Sequence, residues 1–554
     1  MGKGSKVWSH IIVGAGAAGC VLAARLSEDP KTNVLLIEAG GSGRFDPTLK
    51  VPMMTGMLLG GQRHVWQYAT GPETGLLGRK VELPRGRVLG GSTAINGMVY
   101  VRGLPQDYDN WAQLGLPEWA WDKVYPYFLK SEAFDGSGPE NHHGFHGPMK
   151  VSRREKNVSP LVNAFVEAGI SAGFPHCQDF NSPNPEGFGY YHFTIREGQR
   201  ESTATSFLSG AFSRPNLKVL TNTEVLRVIF DGVRASAIEV FRRGKIETLR
   251  SEQCIVLSGG AIGSPAILMR SGIGDADDLS KLGIKLMVNL PAVGQNLHDH
   301  VLIRVSHYAA EDATLHRLTR VDRAAAAFMQ AWFLGKGPMT VFPLESGAYI
   351  RGPGAGSPNI QSHFLPALSS ATVHFNPFKK PLNQNPGFMA NASVMRPASR
   401  GRLKLTERDH RSPLDIRVNY LSDSRDLEQL VDAVEILRKV FSQREFARYL
   451  GPEISPGPDC RSRKEIASWA RQTASTVHHL CGSCRMGSDP DSVVDEELNV
   501  RGVDGLRIAD ASVFPSIPST NTAAPTIMIA EKAADIILGR NHPAVQKWTT
   551  GRTF

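Results

Sequence analysis

Apolar positions crowd the start of the chain. The segment 10–13 is followed by a Gly/Ala turn at 14–19, a largely apolar stretch at 20–27 and a second apolar run at 34–37. This pattern predicts a buried strand, a tight turn, a helix and another strand. A long mixed stretch with many Gly and Pro turns comes next. Helical periodicity resumes over 159–172, and strand-like segments follow at 216–230 and 255–257. A Ser-Pro start predicts a helix over 264–270. Residues 306–464 read as loops and Pro-rich turns with one amphipathic helix at 426–441. Strand-and-helix texture returns at 506–508 and 526–537. Similar texture at the beginning, middle and end predicts two domains interleaved along the chain.

Length and charge narrow the picture. The chain has 554 residues, more than one ordinary core needs. Its formal charge is +9, but Lys and Arg are scattered and form no basic block, so no nucleic-acid partner is expected. The apolar run 11–24 is interrupted by glycines, closed by Arg25 and followed by no small-residue cleavage site, which argues against a signal peptide. It is also too short to span a bilayer, and no other stretch reaches that length, so no integral membrane segment is expected. Six cysteines in so long a chain without an export signal are expected to be reduced thiols of a cytoplasmic protein.

The first turn carries the strongest local chemistry. Gly14-Ala15-Gly16-Ala17-Ala18-Gly19 lies between a predicted strand and a predicted helix. Gly14 permits the turn, Gly16 lets a pyrophosphate approach the backbone, and Gly19 lets helix and strand pack closely. The helix N-terminus then offers free N–H groups to phosphate. Glu38 ends the second strand, where a carboxylate can hydrogen-bond ribose hydroxyls. A dinucleotide site follows from this set, but the set does not separate FAD from NAD.

Distant segments add a family resemblance. The run RGRVLGGSTAINGMVYVRG at 85–103, LSGGAIGSPAILMRSGIG at 257–274, LPAVGQNLHDH at 290–300 and the stretch from VHHLCGSCRMG to PTIMIAEKAAD resemble, in order, the signatures of the glucose–methanol–choline oxidoreductases. The resemblance implies an α/β fold: a Rossmann-like FAD domain interleaved with a substrate domain whose mostly antiparallel sheet covers the flavin. The expected division is 1–153, 214–305 and 465–554 for the FAD domain, with 154–213 and 306–464 for the substrate domain. It also implies that Glu38 and Ala39 hold the adenosine ribose and Val225 the adenine. Trp66, Arg87, Gly90, Gly91 and Ser92 belong to the implied FAD site, and Asn96, Gly97, Met98 and Val99 line the flavin. Asp510 and Ala511 meet the pyrophosphate and ribityl region, and Thr522 and Ala523 close the site. Members that bind FAD covalently do so through a histidine at the position of Ile95, so non-covalent FAD is expected.

The same resemblance implies oxidation of an alcohol, with oxygen or a quinone- or dye-type acceptor taking the electrons. A neutral imidazole suits removal of the hydroxyl proton because its pKa lies near working pH. The family motif places this base at His479, three residues before Gly482; His478, where the family often has an aromatic residue, is a candidate auxiliary. The family's second catalytic group, an Asn or His, falls on Ala523, which offers no hydrogen bond; Asn521 stands two residues earlier. That departure leaves open an FAD-containing lyase of the hydroxynitrile type, a photodecarboxylase or an inactive flavoprotein. Metal chemistry is not expected: Cys481 and Cys484 lack a second ligand pair. His142, His143 and His146 read as an exposed loop, and His298 and His300 as structural residues of a turn.

Overall fold

The computed structural model describes residues 7–136, 142–153, 158–368 and 385–540. Strand β1 (Trp8–Val13) is buried at every position, and so is β2 (Val34–Ile37). Uninterrupted apolar strands of this kind belong to a parallel sheet covered on both faces. Helix α1 (Ala17–Leu26) crosses between them. The sheet continues through β3 (Leu217–Leu220), β4 (Thr223–Asp231), β5 (Arg234–Arg242) and β6 (Lys245–Leu257). Its order is β3-β2-β1-β6-β5-β4, and Leu506–Ile508 pairs in parallel with the end of β6. The long β6 does two jobs. Its first half pairs antiparallel with β5, and its second half lies parallel to β1. Helix α2 (Gly260–Arg270) follows it and contains Pro265 inside, so the helix begins before the Ser-Pro pair that the sequence suggested as its start.

The second sheet is built by the region that read as loops. Strands β7 (Val301–Ala309), β8 (Ser346–Ile350), β9 (Ile360–Leu365) and β10 (Gly387–Val394) form its centre in the antiparallel order β7-β10-β9-β8. Leu450–Ser455 and Ser475–Thr476 add to the β7 edge, and Gly187–Tyr190 to the β8 edge. These strands escaped notice because both faces are largely buried, so polar and apolar residues do not alternate cleanly. The expected domain boundary at 305/306 falls inside β7, and Ser475–Thr476 joins this sheet although 465–554 was expected to lie elsewhere. The boundary at 153/154 adjoins residues outside the described set.

One face of the sheet carries Ile303, Phe364, Phe388 and Ala390 toward helix α3 (Ser424–Phe441), where the Phe388 and Phe441 rings meet at a tilt with centroids 5.6 Å apart. The alternate residues, Arg304, His363 and Asn391, turn to the opposite face. Helix α4 (Ala523–Leu538) returns to pack beside α1. There Arg25 Nε and Nη2 donate to the two carboxylate oxygens of Glu531, each at 2.8 Å, and Lys130 stands 3.4 Å away. Glu531 is fully buried. No described helix is long and apolar enough to cross a membrane.

A buried carboxylate held by two cations is costly to break from one side. Glu531→Ala is expected to lower the unfolding free energy by about 3–5 kcal/mol, measured by urea unfolding of the FAD-loaded protein. A loss under about 1 kcal/mol would mean that the pair behaves as a surface ion pair.

Candidate active site

A cavity of about 1410 Å³ lies between the parallel sheet and the inner face of the antiparallel sheet. Of the residues expected at the FAD site, most line it: Gly14, Gly16, Ala17 and Ala18 at the first turn, Glu38 and Ala39 after β2, and Val225 on β4. Trp66, Arg87, Gly91, Ser92, Asn96, Gly97, Met98 and Val99 form another wall, and Asp510, Ala511, Thr522 and Ala523 a third. Ala15, Gly19 and Gly90 stand behind this surface. Ala15 N–H donates to Glu38 Oε2 at 3.0 Å, and Gly90 N–H to the Ala15 carbonyl at 2.8 Å.

The first turn fits a dinucleotide on a geometric test. A Cβ added to Gly16 would meet no atom of the protein nearer than 4.0 Å, so the space it would enter belongs to the cavity. Burial raises the Glu38 carboxyl to about 7, against the pull of two backbone N–H donors from Gly40 and Ala15. Asp510 Oδ2 accepts from Gly260 N–H at 2.7 Å and Ser264 hydroxyl at 2.6 Å, which ties the start of α2 to the cavity wall. Ile95 lines the cavity where a covalent histidine would stand.

At the far end the chain builds a histidine site. Asp299 precedes β7 and is buried. Its Oδ1 accepts the His479 backbone N–H at 2.7 Å, while Oδ2 accepts the Tyr420 hydroxyl at 2.7 Å and the Thr476 hydroxyl. Thr476 Oγ1 in turn accepts the His478 N–H at 2.6 Å. These bonds hold His478 at a φ of +66°, an uncommon left-handed conformation that aims the next side chain into the cavity. Gly482 completes the turn at φ +84°, where a Cβ would stand 2.4 Å from the His298 ring.

The hydrogen bonds decide which nitrogen of His479 is basic. His300 Nε2 lies 2.9 Å from the Met395 carbonyl, and a carbonyl only accepts, so Nε2 carries the proton. His300 is buried and its pKa is lowered to about 4 by that burial, so the ring is neutral and its Nδ1 is an acceptor. His479 Nδ1 stands 2.9 Å from it and must donate. The lone pair of His479 is therefore on Nε2. Asn521 Nδ2 faces that atom at 3.2 Å, and its orientation is set by Gln361 Nε2, which donates to Asn521 Oδ1 at 3.2 Å.

Ala523 is the first residue of α4, lines the cavity and offers no side-chain hydrogen bond; Asn521, two residues before the helix, places its amide nitrogen 3.2 Å from His479 Nε2. His300, expected as a structural residue of its turn, sets its ring nitrogen against that of His479. His478 lines the cavity with its Nδ1 buried and unpaired among the described residues. The loop expected around 142–146 is half right. His146 is exposed, but His143 is buried between Glu132 Oε1 at 3.1 Å and Asp179 Oδ2 at 2.7 Å, stacked on Phe134. With His192 these residues bring three metal-competent atoms within 4.8 Å of one another, from segments too distant for a motif to reveal. The six cysteines are unpaired.

Electrostatics keep the base neutral. Burial, then the neighbouring His300, His363, His478 and the Arg85 guanidinium, hold the His479 pKa well below the usual histidine range. Arg85 Nη1 also donates to the His478 carbonyl at 2.7 Å.

Models of the GMC oxidoreductase family match residues 8–302 and 397–530. The chain belongs to the GMC oxidoreductases. It is an FAD-dependent oxidoreductase acting on CH–OH donors. Curated GMC relatives include the mitochondrial choline dehydrogenase of Homo sapiens, 42% identical with 96% of this chain and 90% of that protein covered. The oxygen-dependent choline dehydrogenase of Chromohalobacter salexigens is 41% identical over 96% of this chain and 95% of its own length. Among solved structures, pyridoxine 4-oxidase from Mesorbium loti superposes with a TM-score of 0.86 at 33% identity, covering 97% of this chain and all of that one. Formate oxidase from Aspergillus oryzae gives 0.89 at 25% identity, covering 97% and 99%.

Because a Cβ at Gly16 would enter cofactor space and come no nearer to the protein than 4.0 Å, at Gly91 Cα, Gly16→Val is expected to fold with the parent's far-ultraviolet spectrum but retain less than about a tenth of its flavin. Parent-like yellow colour after purification would show that the turn does not cradle the cofactor.

Proposed function

We propose that this enzyme oxidises a primary or secondary alcohol to a carbonyl compound, with His479 Nε2 as the proton acceptor and Asn521 as the partner that holds the substrate oxygen. The observation that carries this reading is the pair of facing atoms, a lone pair on His479 Nε2 and an N–H on Asn521 Nδ2, 3.2 Å apart at the cavity wall. A hydroxyl placed against both gives its proton to the first and accepts a hydrogen bond from the second. FAD, when bound, accepts the hydride that leaves the carbinol carbon. As the oxygen gains negative character, the Asn521 N–H tightens on it, which acts on the transition state more than on binding. Breaking the O–H and C–H bonds would leave the C=O double bond, with the hydroxyl proton on His479 and the carbinol hydrogen passed with its two electrons, as hydride, to the cofactor.

The chain's own residues hold this arrangement ready. His300 fixes the tautomer, Asp299 fixes the backbone, and Gln361 fixes the amide. Residues 90–99 and Ile95 in particular support non-covalent cofactor binding, and we assign oxygen or a quinone-type carrier as the final electron acceptor. A photodecarboxylase or an inactive flavoprotein has no use for a base and an oxyanion donor oriented in this way; a lyase would use the same base on a cyanohydrin but leave the flavin oxidised, so flavin reduction by an alcohol separates it from the oxidation proposed here.

His479→Ala is expected to slow anaerobic flavin reduction by about 10²- to 10⁴-fold, and Asn521→Ala by about 10²- to 10³-fold, with FAD retained in both. Reduction within a few-fold of the parent for His479→Ala would remove it from the mechanism.

The pH profile gives an independent check. A base whose pKa is lowered stays unprotonated as pH falls through the ordinary histidine value. The reduction rate should therefore stay level from about pH 8 to about pH 6 and decline only below that, whereas an unshifted imidazole would lose half its rate near about 6.5. A half-point at that value in stopped-flow traces would contradict the buried, neutral His479.

A further inference from the structure

The inner face of the antiparallel sheet carries polar side chains that proton removal at His479 does not use. Arg304 on β7, Asn391 on β10 and His363 on β9 stand side by side in register and line the cavity. The row is unsatisfied. Asn391 Oδ1 and His363 Nε2 are buried without a hydrogen-bond partner among the described residues. His363 is only 5% exposed, with its ring stacked on Tyr191. The Arg304 guanidinium has no carboxylate or carbonyl partner among them, although burial weighs on it enough to lower its pKa. An arginine nonetheless keeps its charge.

Arg304 is half-buried, and a cation that faces a cavity without a protein counter-charge is suited to a ligand that supplies one. The rest of this sheet face cannot supply it. Leu302, Leu365, Met389 and Ser393 complete its cavity lining, and none is acidic. The acids that do line the cavity, Glu38, Glu224, Asp415 and Asp510, belong to other segments. The row and the base share one chamber: Arg304, Asn391, His363 and His479 all line the same cavity. The charge of Arg304 helps depress the proton affinity of His478, and His363 that of His479.

We propose that the alcohol oxidised at His479 carries a carboxylate, and that Arg304 receives this group across the Arg304–Asn391–His363 row. The substrate is then a hydroxy acid, held at one end by a planar guanidinium whose fork matches a carboxylate. Choline, after which two of the relatives are named, brings a fixed positive charge, and at this row it would face Arg304. The proposal rests on the alcohol-oxidation reading above and adds the substrate's chemical class.

The test uses the FAD-loaded enzyme and anaerobic flavin reduction. Hydroxy acids of graded length (glycolate, hydroxybutyrate, hydroxyhexanoate, hydroxymethylbenzoate) are compared with their amides, with the matching diols and with choline. For at least one length the acid should exceed its own amide by about 10- to 100-fold in kred/Kd, the range of a charge-assisted hydrogen bond, and should exceed choline. In Arg304→Leu that acid-to-amide ratio should collapse to within a few-fold, chiefly through a higher Kd, and Arg304→Lys should keep part of it. An acid no better than its amide at every length, choline as the best donor, or an unchanged ratio in Arg304→Leu would overturn the proposal. Should Arg304→Leu fail to hold FAD, the parent series and Arg304→Lys still decide. If neutral diols reduce the flavin without any preference for acids, only the substrate class falls. If no alcohol reduces it, the function proposed above falls first.

Discussion

The active site depends on one hydrogen bond, between the imidazoles of His300 and His479. Two histidines facing each other through Nδ1 atoms can share only one proton, and the Met395 carbonyl decides which ring supplies it. Once His300 is fixed as donor to that carbonyl, His479 has no choice of tautomer. Its basic nitrogen points at the cavity and at Asn521. The antiparallel sheet serves this bond directly: His300 leads into β7 and Met395 follows β10, so strand register sets the carbonyl against the ring.

Burial in the site works against proton uptake and in favour of readiness. His298, His300, His363 and His478 are all pushed toward the neutral form, chiefly by burial. In the mechanism proposed above, a weaker base takes a hydroxyl proton less eagerly, which puts more weight on the hydrogen bond from Asn521. In return the base is never lost to protonation over the ordinary range. Asp299 is the acid closest to the turn, and its oxygens are fully used by Tyr420, Thr476 and the His479 amide. It anchors the backbone and leaves the imidazole uncharged.

Local rules were enough wherever one short segment completes a unit. The Gly14–Gly19 turn, α1 and β2 could be read directly, because apolar periodicity, glycine placement and the terminal acid all lie within one stretch of chain. His479 was legible through its motif. The antiparallel sheet was not: its strands are separated by long connections and buried on both faces, so neither alternation nor spacing marks them. Asn521 was legible as a residue of the motif, but its proximity to His479 was not, because the turn that leads into α4 at Ala523 sets it. His143, Asp179 and His192 escaped for the same reason as Arg304, Asn391 and His363. Each group exists only after strands from different segments have been laid side by side.

The order in which the cavity walls occur along the chain has a consequence for biosynthesis. The wall at 14–18 is made before nearly all the rest of the cavity lining, whereas Asp510, which ties down the start of α2, and the 521–523 segment are made after nearly all of it. Leu506–Ile508, which extends the parallel sheet beside β6, is equally late. A nascent chain therefore displays a phosphate-binding turn long before it has a chamber. The chamber is complete only when the segments at 506–511 and 521–526 join walls laid down far earlier in the chain.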